Sequence, residues 1–198
     1  MLNRGFTLIE VLVTLVILTF GLLGIAGLMA KGQRASFEAF QRQQATSIAS
    51  DMAERVRANR TQVVAYSAAA SVTDPLGPGA RYNDLLTASI SDCGTYQCST
   101  TDLAKYDIAL WDGLLSGYSE TQVAGGARVG GLVNARGCIV KTPNASGTCT
   151  VRISVAWQGN EETIAPLAAT STCGQGAYTP DTKRRVVVLD LMVSQSCP

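Results

Sequence analysis

The residues best equipped for chemistry are six cysteines, Cys93, Cys98, Cys138, Cys149, Cys173 and Cys197, all in the C-terminal part of the 198-residue chain. Thiols can ligate metal, attack an electrophilic carbon or oxidise to disulfides, and their surroundings decide which. The chain contains no histidine, which removes the commonest general base and the commonest zinc co-ligand. No CxxC spacing occurs either, so an even set of disulfides is favoured over a zinc cluster. Six cysteines allow fifteen connectivities, and sequence alone does not choose among them. The expected pairing is the sequential one, Cys93–Cys98, Cys138–Cys149 and Cys173–Cys197, because each closes a modest loop. Cys173–Cys197 would then clamp the C-terminal tail. Disulfides persist in oxidising compartments, which places this half of the chain outside the cytoplasm.

Carboxylates are the second candidates. Asp102, Asp107 and Asp112 recur at i,i+5. That spacing spreads them around a helix instead of pairing them for acid–base work, so a solvated face is expected. No nucleophile elbow, phosphate loop or metal signature accompanies them, which argues against an enzyme and against any cofactor. A net charge of +1 and a pI near 7.5 leave no basic footprint for nucleic acid. One carboxylate stands apart: Glu10 is the single charged side chain between Phe6 and Ala30.

The elements that must position these groups are legible in the periodicity. Residues 11–30, VLVTLVILTFGLLGIAGLMA, carry no charge, and twenty helical residues rise about 30 Å, enough to cross a bilayer core. A secretory signal has a shorter apolar region of about 7–15 residues and a small-residue cleavage site. Arg4 and the initiator amine precede the run and Lys31, Arg34 and Arg42 follow it, so the positive-inside count does not fix the orientation; cysteine usage puts the C-terminal body outside. From Lys31 to Arg60, Phe37, Phe40, Ala45, Ile48, Met52 and Val56 form an amphipathic stripe, supported by Glu38/Arg42 and Asp51/Arg55 at i,i+4. No proline precedes Pro75, so one helix of about 55 residues is expected by that spacing. Gly21, Gly24 and Gly27 interrupt it, either for close helix packing or as a soft spot.

Residues 61–100 read as loop-rich. In 102–115, Leu103, Tyr106, Leu110, Trp111 and Leu114 share one expected helical face, with Trp111 a core anchor. The alternation in TVRISVAW, with Val151, Ile153, Val155 and Trp157 inward, and in RRVVVLDLMV predicts strands. IVKTPNASGT predicts a hairpin. An α+β body results, in which the helix stripe covers the apolar face of an antiparallel sheet. The Gly-rich run 123–137 is a candidate exposed loop.

RGFTLIEVLV resembles the processing site of type IV pilins and pseudopilins. The resemblance implies the type IV pilin fold, with a leader at 1–5, a transmembrane assembly helix at 6–30, the amphipathic half of that helix at 31–62 and a periplasmic body at 63–198. It implies cleavage by prepilin peptidase between Gly5 and Phe6, methylation of the Phe6 amine, and an assembly role for Glu10. A carboxylate in a membrane helix is costly, by roughly 2.5–3.5 kcal/mol at the centre and less near the end. The family resolves that cost by pairing it with the cationic amine of an adjacent subunit. GLLGIAGLM (21–29) and DMAERVRANR (51–60) are similar to minor pilins called PilV, the type IV pilus modification proteins. That similarity implies a structural subunit that primes pilus assembly with other minor pilins and the major pilin, at the inner membrane and then at the pilus tip. A minor pseudopilin of type II secretion is the competing reading.

Overall fold

The computed structural model describes residues 5–118, 131–144 and 147–193. It divides into two compact units, residues 1–40 and 41–198, which are described separately although one helix, α1 (Leu8–Ala58), belongs to both.

In the first unit the α1 backbone begins where Glu10 and Val11 donate N–H bonds to the Thr7 carbonyl. Its side chains are exposed throughout Leu8–Phe37. A stretch of at least eighteen residues is long and apolar enough to cross a membrane, and none of it is buried within the chain. With no core of its own to enter, such a surface requires either lipid or other chains. Thr14 and Thr19 donate their hydroxyls to the Val11 and Val16 carbonyls, which removes two polar groups from that surface. Phe37 and Phe40, placed by periodicity in the amphipathic stripe, are 45% and 62% exposed.

In the second unit, the buried face of α1 is Gln41, Ala45, Ile48, Ala49, Met52, Ala53 and Val56. The small alanines widen the stripe that the larger residues suggest. A 3-10 turn (Arg60–Gln62) leads to α2 (Val63–Ala69), followed by α3 (Ala80–Leu86) and α4 (Thr100–Leu115). Two short helices therefore occupy the region expected to be loop-rich. Ser99 caps α4 by accepting the Asp102 N–H, and its hydroxyl donates back to the Asp102 carboxylate. Three strands complete the unit, β1 (Arg136–Pro143), β2 (Cys149–Gln158) and β3 (Arg184–Val193), in an antiparallel sheet ordered β1-β2-β3. The β1–β2 register pairs Pro143 with Cys149 across the expected hairpin.

Val151, Ile153, Val155 and Trp157 on β2 join Leu191 and Val193 on β3 in one buried cluster with the α1 stripe and with Ala104, Ile108, Trp111 and Leu115 of α4. The buried face of α4 is thus rotated from the expected Leu103/Tyr106/Leu110/Leu114 stripe. Trp111 remains its anchor, fully buried and donating its indole N–H to the Ile48 carbonyl at 3.0 Å. Its ring lies on the backbone of Gly137, where any Cβ would stand 2.6 Å from the indole. The opposite face of the sheet is also covered. Cys138, Ala156, Cys173 and Tyr178 form a second small cluster beneath the segment that joins β2 to β3.

The disulfides correct two of the three expected pairs. Cys93 is bonded to Cys98, and Cys138 to Cys173. Cys138 cannot meet Cys149, because in the β1–β2 ladder Cys138 lies opposite Ser154 while Cys149 lies opposite Pro143. Five residues along a strand span roughly 17 Å, beyond the Cα separation of about 7 Å that a disulfide tolerates. The odd offset also puts the two thiols on opposite faces: Cys138 with the small cluster, Cys149 with the main core. With Cys173 bonded to Cys138, the Cys173–Cys197 tail clamp is excluded as well. Cys149 is itself disulfide-bonded. Cys197, the leader residues 1–4 and most of the Gly-rich run lie outside the described residues.

Candidate functional site

Glu10 sits in the first turn of α1, where unpaired backbone N–H groups and the helix dipole favour a negative charge, by about 0.3–1 kcal/mol at an exposed site. Gly5, Phe6 and Thr7 precede the helix as non-helical backbone, and Phe6 is 83% exposed. The Gly5–Phe6 peptide therefore lies on open chain just ahead of a regular helix, with Glu10 on that helix. A Cβ added at Gly21, Gly24 or Gly27 would meet nothing within 4 Å. No packing among the described residues requires those glycines.

Within the second unit, α1 is held by side chains that pattern reading does not single out. Arg55 donates from Nε to Asp51 at 2.8 Å and from Nη1 to Asp107 of α4 at 2.9 Å. Asp107 also accepts the Tyr66 hydroxyl at 2.6 Å, and Asn59 donates to the Thr100 carbonyl at 2.7 Å. Burial first, and then the Asp107 carboxylate, push the Tyr66 hydroxyl well above its ordinary range. The guanidinium loses hydration but gains two carboxylates, and its pKa is raised on balance. These contacts fix the segment DMAERVRANR, the end of α1 and the two residues after it, to α2 and α4.

Asp112 is 1% exposed. Its Oδ1 accepts the N–H groups of Gly77 (2.7 Å) and Gly79 (3.2 Å), and its Oδ2 those of Arg81 (2.8 Å) and Tyr82 (3.4 Å). One carboxylate thereby folds the loop before α3 and satisfies donors of its first turn. Gly77 is required there, with φ +133° and a would-be Cβ 2.0 Å from the Ala135 carbonyl oxygen. The expectation of a solvated acidic face on α4 thus fails for Asp107 and Asp112, although Asp102 is partly exposed near Lys105. The i,i+5 spacing aims Asp107 and Asp112 at different groups of donors. Among the described residues, no cluster of cysteine and carboxylate side chains could hold a metal.

The N-terminal arrangement coincides with a family match. Residues 1–26 match the prokaryotic N-terminal methylation motif, and residues 28–109 match the type IV pilin Tt1218 family. The chain belongs to the type IV pilin family. The second match runs from α1 through most of α4, so it takes in Arg55, Tyr66 and Asp107 of the polar anchor. No curated protein and no solved structure matches the chain. Pilins are structural subunits, and the methylation motif implies processing by prepilin peptidase, assembly with other pilins and a membrane-anchored N-terminal helix. In this pilin the α+β architecture is the one the resemblance implies: a long N-terminal helix, a C-terminal three-stranded antiparallel sheet and disulfides.

Proposed function

We propose that this pilin is a minor subunit that helps prime type IV pilus assembly, in a complex with other minor pilins at the filament tip. The observation that carries the reading is the solitary Glu10 in the first turn of a helix otherwise uncharged as far as Ala30, four residues after Phe6. Cleavage after Gly5 by prepilin peptidase leaves Phe6 with a free amine, which is then methylated. That amine is cationic below a reference pKa of about 7.7–8.0. A carboxylate left alone in lipid becomes a compensated pair when it meets the amine of an adjacent subunit, which favours docking and fixes register. The stretches similar to type IV pilus modification proteins support a minor role over a major one. The disulfides support an oxidising compartment for the body, so the subunit waits in the inner membrane with its body in the periplasm.

Quantitative mass spectrometry of sheared, washed pili tests this. A methylated Phe6 peptide far below major-pilin abundance is expected. Equal abundance would make it a major subunit, and a peptide confined to the membrane fraction would favour a secretion pseudopilin. Glu10→Ala is expected to be cleaved and inserted normally yet to be lost from filaments. Normal incorporation of that variant would refute the pairing role.

A further inference from the structure

The face of the sheet turned away from the main core is not a flat, wetted surface. Thr142 of β1 and Thr150, Arg152 and Ser154 of β2 line a cavity of about 430 Å³, together with Thr170 and Thr172 from the segment before β3. That volume lies within the range of about 300–1,000 Å³ common to small-molecule sites. Both walls are fixed. On one side, the Cys138–Cys173 bond and Arg184, which donates to the Ser171 and Cys173 carbonyls at 3.0 and 3.3 Å, hold the segment in place. On the other, the Ile139 N–H donates to the Ala70 carbonyl and Leu76 bridges to Gly137, which brings Val72 to the rim.

The lining is rich in hydroxyls that the chain does not use. The side chains of Thr142, Thr170 and Thr172 have no hydrogen-bond partner among the described residues. Each hydroxyl offers one donor and two acceptor sites, and those of Thr142 and Thr170 stand on exposed positions where a ligand can reach them. The cavity carries no uncompensated charge, because the Arg152 Nε and Nη2 both bond the Asp190 carboxylate at 2.8 Å. Val72, Val140 and Ala168 add small apolar patches. Donors and acceptors in quantity, no net charge and modest apolar contact are complementary to a ring bearing several hydroxyls and C–H faces.

We propose that this groove binds a neutral saccharide of one or two rings through the free hydroxyls of Thr142, Thr170 and Thr172. This is independent of whether the pilin is minor or major.

The test uses the full chain in a detergent without a sugar headgroup. Saturation-transfer NMR is recorded with glucose, galactose, N-acetylglucosamine and lactose, with N-acetylneuraminic acid as the anionic comparison, and the same sugars are presented immobilised. Transfer to at least one neutral sugar is expected, with binding at least tenfold weaker in Thr142→Val/Thr172→Val, which keeps side-chain shape and removes two hydroxyls. Thr170→Val, on an exposed position, is a second variant should the first disturb folding, and circular dichroism with a disulfide map verifies both. Binding of the free sugar identifies a soluble saccharide, and binding confined to the immobilised form identifies a surface glycan; either supports the site. Absence of binding to every neutral sugar, equal binding by the valine variants, or preference for the anionic sugar would overturn it.

Discussion

Replacing Asp112 with asparagine should loosen one loop of the body by an amount that its hydrogen bonds define. The carboxylate accepts four backbone N–H groups, of which those from Gly77 at 2.7 Å and Arg81 at 2.8 Å are short and those from Gly79 and Tyr82 are long. Asparagine keeps one carbonyl oxygen and turns an NH₂ toward the other pair, so one short charged bond is lost and two donors face each other. A hydrogen bond to a charged group contributes about 1.5–3 kcal/mol, and a neutral one about 1. Losing one and weakening the other gives a destabilisation of about 3–4 kcal/mol. For a body of this size each kcal/mol lowers Tm by about 2–4 °C, so a fall of roughly 10 °C is expected in near-UV circular dichroism. Amide exchange should accelerate first at Gly77, Gly79, Arg81 and Tyr82. A Tm within about 2 °C of the parent, or exchange unchanged at those four amides, would refute the assignment of Asp112 as the organiser of this loop.

Three further outcomes are expected of the disulfides and the loop between β2 and β3, and one of the membrane helix. Non-reducing peptide mapping should recover Cys93–Cys98 and Cys138–Cys173, and recovery of a Cys138–Cys149 peptide would contradict the strand register. Cys173→Ser opens a loop of 35 residues, worth about 4 kcal/mol by loop-closure entropy, and protease should then cut first between β2 and β3; first cuts in the tail would contradict this. The Arg184 guanidinium, through paired hydrogen bonds, holds Asp181 below the usual carboxylate range. Its stabilisation is therefore complete above the unfolded pKa of about 3.9 and is lost as pH falls through the lower folded value. Pepsin should open the 159–183 segment progressively below about pH 4, and Asp181→Asn should remove that pH dependence; an unaltered acid profile in the variant would count against it. Gly24→Ala, which meets no neighbour among the described residues, should leave helix content and body stability unchanged, and a measurable loss of either would show that the glycine serves the subunit itself.

The parts of the fold legible in the residue pattern are those in which one face is strictly apolar. Val151, Ile153, Val155 and Trp157 alternate with Arg152 and Ser154, and each apolar member is buried. The uncharged N-terminal run and Glu10 are equally plain, since little besides a membrane or other chains accommodates that surface. The phase of α4 is ambiguous because two apolar stripes run side by side. The stripe with the larger residues is the more conspicuous, whereas the chain buries Ala104, Ile108, Trp111 and Leu115. Small residues carry little hydrophobic signal, yet they are what allows helices to approach.

The buried carboxylates and the Cys138–Cys173 disulfide are harder to read for a shared physical reason: their partners are distant in sequence. Asp107 meets Arg55 from 52 residues away and Asp112 meets Gly77 from 35, so nothing in their own neighbourhood distinguishes a buried acceptor from a solvated acid. The Cys138–Cys149 pairing, by contrast, can be rejected from the pattern alone. Cys149 stands in phase with Val151 and Ile153, which assigns it to the core face, and a hairpin turning at PNASG places Cys138 five residues further along the partner strand. An odd offset reverses the face, and a tight turn fixes the distance. Cys138 then needs a partner on the outer face, and Cys173, in the segment that crosses that face to reach β3, is placed to supply it. The same crossing creates the second wall of the hydroxyl-lined groove, so the disulfide that defeats sequential pairing also determines that the outer sheet face is concave.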